Sequence, residues 1–155
     1  MKMKGVILAF AVLFAPCTFA KVVENTSASA GCPVEIRDFG VARPLGGTSD
    51  ALGHVWEGNF SVHFKNSSER QILGIKFGVD VMDGVGDFRP ALFDVSYSGG
   101  RVGPGKKGDD RWRVPEWNDG EPAGSRLWVK KVAFTDGTTW VDDGTKSCRM
   151  TFDYR

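Results

Sequence analysis

Histidine, cysteine and any excess of one charge are what this chain has least of. Only His54 and His63 are present among 155 residues. A Ser-His-Asp or Cys-His arrangement needs a base held within reach of a nucleophile, and no such set can be assembled from two histidines. Nor do two histidines nine positions apart, with no cysteine nearby, fit a zinc site. A soft copper site could join His63 to Met82 or Met150, although the strand period puts Met150 in the core. The three cysteines, Cys17, Cys32 and Cys148, form no Cys-x-x-Cys, which excludes a thioredoxin-like redox centre. Lysine and arginine total 20 against 19 aspartate and glutamate. That balance gives no electrostatic reason to expect nucleic acid or an anionic membrane, both of which are met first through clustered positive charge. Helical periodicity longer than about two turns is missing as well.

One long apolar run exists, and it is at the start. Gly5 to Ala15 (GVILAFAVLFA) follows Lys2 and Lys4 and precedes Thr18 and Ala20, small residues at the −3 and −1 positions of a cut before Lys21. The run is too short to span a bilayer and is broken by Pro16, so residues 1–20 read as a cleaved signal peptide rather than an anchor. Lipoprotein processing at Cys17 fits less well, because Phe14-Ala15-Pro16 puts proline where a small residue belongs. Cleavage after Ala20 removes two lysines and one cysteine, turning the formal charge slightly negative. Cys32 and Cys148 then remain as a pair in an oxidising compartment, periplasmic or extracellular, where a structural disulfide is expected. No membrane span is left after signal cleavage.

Beyond Ala20 the glycine-rich chain reads strand, turn, strand. Residues 21–31 (KVVENTSASAG) are small and polar and read as a flexible lead-in. Residues 32–155 read as one β-sheet domain. Val34 and Ile36 alternate with Glu35 and Arg37; Gly40 to Gly53 reads as a loop. Phe60, Val62 and Phe64 alternate with Ser61, His63 and Lys65. After the polar turn Asn66 to Arg70, Ile75, Phe77, Val79 and Val81 share a face, and the two runs are expected to pair as a hairpin. Shorter strands follow at Leu92 to Tyr97 and Arg111 to Val114, around a Gly/Pro/Lys loop from Gly99 to Gly108. Asp136-Gly137, between Arg126–Thr135 and Thr138–Val141, predicts a two-residue type I′ turn. Cys148 to Tyr154 closes the chain with Met150 and Phe152 inward. Seven to nine short antiparallel strands predict an all-β, immunoglobulin-like β-sandwich, its terminal strands joined by the disulfide rather than two internal ones.

Lys65-Asn66, Ile75-Lys76-Phe77-Gly78, Pro104-Gly105-Lys106, the run Trp128 to Trp140 (WVKKVAFTDGTTW) and Cys148 resemble uncharacterised exported bacterial domains. In these an F-x-N strand, a PGK loop and an F-x-DGT-x-W hairpin recur on an immunoglobulin-like sandwich. The resemblance implies fold and export; it carries no activity, and no cofactor is implied.

Carboxylates and tryptophans remain as candidates. Asp109, Asp110, Glu116, Asp119 and Glu121 cluster in a charged stretch, but spacing alone does not set two of them across a sugar. Asp142-Asp143-Gly144 lacks the further ligands of a calcium loop. Trp128 and Trp140 flank the Asp-Gly turn and could pair across strands. Trp112 and Trp117 lie beside Arg111, Arg113 and Glu116, so Arg111 to Glu121 is the expected binding surface, for a protein or a glycan. The function expected is that of an exported, non-catalytic interaction module. A structural envelope domain acting by edge-strand pairing is the second expectation, and a small hydrolase the last.

Overall fold

The computed structural model describes residues 21–42, 56–117 and 123–153. Among the described residues, period-two alternation produces nine strands: β1 (Lys21–Asn25), β2 (Val34–Ala42), β3 (Trp56–Asn66), β4 (Ile72–Met82), β5 (Phe88–Tyr97), β6 (Lys107–Trp117), β7 (Gly124–Phe134), β8 (Thr139–Val141) and β9 (Arg149–Asp153). No helix occurs among the described residues, and every ladder is antiparallel. One sheet runs β1-β9-β7-β4-β5, with β8 also on β7; the other runs β2-β3-β6.

The inner faces of the two sheets meet in one hydrophobic core. Val34, Ile36, Val62 and Phe64 from the smaller sheet are fully buried against Phe77, Leu127, Val129 and Val132 from the larger. Phe64 lies 6.1 Å from Phe77 and Phe39 lies 5.7 Å from Phe152, ring centre to ring centre. Burying each such side chain contributes about 1.5–3 kcal/mol, which is why the expected inward faces of β3, β4 and β9 all hold. Phe39 reaches the core only because β2 carries one extra residue, Arg37, between Ile36 and Asp38; unbroken alternation would have turned Asp38 inward.

Four expectations are corrected. β3 and β4 do not pair as a hairpin: they belong to opposite sheets, and Asn66 to Arg70 crosses from one layer to the other. Their apolar faces share a core whether the runs lie side by side or face each other, so alternation cannot choose. The choice is made at Asn66, which is wholly buried. Its amide donates to the carbonyls of Arg70 (2.8 Å) and Val102 (2.9 Å), while its Oδ1 accepts from the backbone N–H and hydroxyl of Ser68. The crossing is thereby bolted to the Gly/Pro/Lys loop.

The β7–β8 turn is not type I′. Asp136 keeps negative φ and only Gly137 is left-handed, at 84°. The Phe134 carbonyl accepts from the Gly137 N–H and the Phe134 N–H donates to the Thr138 carbonyl, so the loop is a three-residue type I turn ending in a glycine bulge. The Asp136 carboxylate, capping the Thr138 N–H at 2.9 Å, favours this arrangement.

Residues 21–31 are not all flexible. Lys21–Asn25 pairs with β9, with Glu24 doubly hydrogen-bonded to Arg149 (2.7 and 2.9 Å) and the Asn25 amide donating to the Ile36 carbonyl at 3.0 Å. Consequently the Cys32–Cys148 disulfide, present as expected, does not join the terminal strands. It ties the entry to β2 to the entry to β9, and so one sheet to the other, across a sequence separation of 116.

Candidate functional site

The sequence places its binding surface at Arg111 to Glu121; β6 divides that surface between two faces. Arg111 and Arg113 are exposed on the outer side of the smaller sheet, in register with Ser61 and Asn59. Trp112, between them, turns inward. Its indole N–H donates to the Ser96 carbonyl on β5 (3.1 Å), and its ring packs edge-on to Phe77 at 6.1 Å. Trp112 therefore closes the seam between the edges of the two sheets. Glu116 and Trp117 end β6, with Trp117 in register with Trp56; their side chains, like Asp119 and Glu121, lie outside the described residues, as does His54.

His63 stands on the same outer face as Arg111. Its Nδ1 is 3.7 Å from Asp38 Oδ2, with both side chains more than half exposed on a flat sheet. The neighbouring Ser61 hydroxyl sits towards Gly40, where an added Cβ would meet it at 3.2 Å. Among the described residues no group of three metal-ligating side chains occurs.

The outer face of the larger sheet holds a more ordered constellation, which the sequence reading did not single out. At its centre the Trp128 ring on β7 lies over Gly78 on β4, so closely that a Cβ at Gly78 would collide with the indole. Two carboxylates stand beside it, each shared by two cations. Asp94 on β5 accepts from Lys130 (2.9 and 3.1 Å) and pairs with Lys76 (3.2 Å). Asp80 on β4, its side chain only 5% exposed, takes Arg126 (2.6 and 2.9 Å) and Lys146 (2.7 Å). Such sharing is what allows a carboxylate to be buried at all. Lys146 and Lys130 come within 5.1 and 5.8 Å of the Trp128 ring centre, cation–π range.

Backbone irregularities build this arrangement. Lys130 is an extra residue in β7 opposite β4, so Lys130 and Lys131 interrupt the alternation together, and Lys131 falls directly opposite Lys76. Lys146 holds a left-handed φ of 54°, which costs a lysine about 1–2 kcal/mol. Asp142 Oδ2 fixes that turn by accepting the N–H groups of Gly144 (2.8 Å) and Lys146 (3.1 Å). Partial burial pushes the Asp94 carboxyl up, but the hydrogen bonds and attraction of Lys130 and Lys76 outweigh it and hold it below its ordinary 3.8. Asp94 thus stays charged under all ordinary conditions. Trp140 sits instead opposite Val132 and packs against the core, so Trp128 and Trp140 are not a cross-strand pair.

No family model and no curated protein matches the chain. Two similar solved structures are Northeast Structural Genomics Consortium target SoR45 and a hypothetical protein from Peptoclostridium difficile 630. The first is 8% identical over 73% of this chain and 89% of its own, with a TM-score of 0.47. The second is 14% identical over 72% and 87%, with a TM-score of 0.41. Likeness at that level carries no argument about activity.

The available signals for the outer face were the Lys130-Lys131 doublet inside an alternating run and a glycine, Gly78, inside another. Interior strand glycines mark a bulge or a close approach, and this one makes room for Trp128.

Proposed function

We propose that the chain is an exported, non-catalytic interaction module of immunoglobulin-like architecture, working in the periplasm or outside the cell, with the outer face of its larger sheet as the binding surface. The observation that carries the surface is Trp128 set between two carboxylates, each bridged by two cations, on an open sheet face. Such side chains are ordered before a ligand arrives, which lowers the entropy cost of binding. A surface built on strands also holds its groups more precisely than the loop the sequence suggested.

The connectivity supports the immunoglobulin-like reading. In the letters of that fold, β2-β3-β6 would be A-B-E, and β5-β4-β7-β9 would be C′-C-F-G. Export is supported by the disulfide, and no helix among the described residues is long and apolar enough to cross a membrane. Edge-strand pairing, the rival role, has the sheet edges against it. β1, β2, β5 and β6 each carry extra residues relative to their inner neighbours, and β8, which has no bulge, is only three residues long; bulges and short strands both blunt an edge for pairing with another chain.

Capture from the native cell envelope tests the reading, with mature Lys21–Arg155 as bait beside a Trp128→Ala variant of matched melting temperature. Loss of a specific ligand from the variant is the expected result; equal capture by both baits would remove the outer face as the surface.

A further inference from the structure

The outer face of the larger sheet has a charge pattern that stability alone does not account for. Lys76 and Lys131 are directly opposite each other on β4 and β7, and both are exposed. Like charges in that relation destabilise a sheet. Lys130 stands beside them, and the single carboxylate Asp94 is shared between Lys76 and Lys130. Among the described residues no carboxylate pairs with Lys131. Around Trp128 the cations Lys76, Arg126, Lys130, Lys131, Lys146 and Arg149 thus face Asp80, Asp94 and Glu24, the last paired with Arg149, with Asp142 in the adjoining turn accepting backbone N–H groups. On a chain almost neutral overall, this is a local positive excess. The smaller sheet has a comparable lysine pair, Lys65 opposite Lys107, but Glu35 stands in register beside it, and Phe39, Phe60, Phe64 and Trp112 all turn to the core.

Lysines with spare charge beside an indole that lies flat on a sheet are complementary to one ligand chemistry: a sugar ring bearing a carboxylate or sulfate. The ring's apolar C–H face stacks on the indole, and its anion meets ammonium groups whose hydrogen bonds to it are charge-assisted. A protein anchor asks for a desolvated apolar pocket instead, and nucleic acid for a longer row of cations. Resting on the proposed role of this face as a binding surface, we infer that its ligand is an acidic polysaccharide, stacked on Trp128 and held through its anionic groups by Lys76, Lys130 and Lys131.

Tryptophan fluorescence titration and affinity electrophoresis of the mature protein test this with four probes: a polyuronate (alginate), a sulfated glycan (heparin), neutral dextran, and a single-stranded oligonucleotide. The expected result is binding of alginate or heparin, weakened by added salt, with no binding of dextran. Lys76→Gln/Lys131→Gln, changes at exposed positions that leave the fold intact, weaken that binding about tenfold or more, as loss of a charged hydrogen bond does; Trp128→Ala abolishes it. Failure of both polyanions, indifference to these variants, or equal binding of the oligonucleotide would overturn the inference. If the polyanions fail while envelope capture is still lost in Trp128→Ala, only the ligand class falls. If capture survives Trp128→Ala, the binding surface falls with it.

Discussion

At the scale of single residues, short side chains that accept from the backbone two positions on decide how the strands are joined. Asn25, Asn66, Asp136 and Asp143 each accept the N–H of a serine or threonine at i+2 and its hydroxyl as well. The repeated Asn/Asp-x-Ser/Thr spacing is visible in the sequence, but nothing in the spacing says that Asn66 is buried and joins two sheets. Asn66→Ala would leave the Ser68 N–H without its acceptor and take one of two donors from each of the Arg70 and Val102 carbonyls, which keep the Ser68 hydroxyl and the Ile72 N–H. It is expected to cost about 2–4 kcal/mol in urea unfolding, several times the effect of Asn25→Ala at an exposed position. Gly78→Val should force the Trp128 indole off the sheet, seen as a shifted fluorescence maximum together with a loss of about 1–3 kcal/mol. Trp112 and Trp128 show why composition alone does not tell an inward tryptophan from an outward one. Both sit among charged residues in the sequence, yet the pleat turns one into the core and the other outward.

At the scale of elements, the alternation of β3, β4, β7 and β9 was legible because burial of one face imposes it, whereas pairing partners were not. Two runs with one apolar face each satisfy that constraint as a hairpin or as facing layers, and only the long-range contacts of Asn66 separate the two. β1 was illegible for a related reason: Val22 and Val23 are half-exposed, so the strand shows no buried face and is held by hydrogen bonds and by Glu24. The hydrogen bond from Arg149 is the main cause that keeps the Glu24 carboxyl below its ordinary 4.5, against a smaller opposing effect of burial. A carboxylate with a lowered value in the folded state binds its proton more readily when unfolded. Its contribution is therefore complete above about pH 4.5 and is lost as pH falls through the lower folded value. Protection of the β1 and β9 amides, taken relative to the unprotected chain at the same pH, should fall over that acid range in the native protein, and Glu24→Gln should show low protection already at neutral pH with little further change on acidification. A Glu24→Gln profile identical to the native one would remove the ion pair as the latch of β1.

For the whole molecule, the disulfide and the shared core join the two sheets into one unit. Reduction of Cys32–Cys148 removes a cross-link enclosing most of the chain, and the loop-entropy relation gives a loss of about 4–5 kcal/mol; Cys32→Ser/Cys148→Ser should fall in melting temperature accordingly. The all-β class could be read from the alternation, and the disulfide from Cys32 and Cys148. The proposed surface could not, because it is assembled from β4, β5, β7 and the turn before β9, which only the strand order brings together. The most direct measurement sets the two candidate surfaces against each other: capture from the native envelope by Lys76→Gln/Lys131→Gln bait and by Arg111→Gln/Arg113→Gln bait, alongside the unaltered protein. The outer face of the larger sheet as binding surface predicts capture lost in the first and kept in the second. Capture kept in the first and lost in the second would contradict it and return the site to β6.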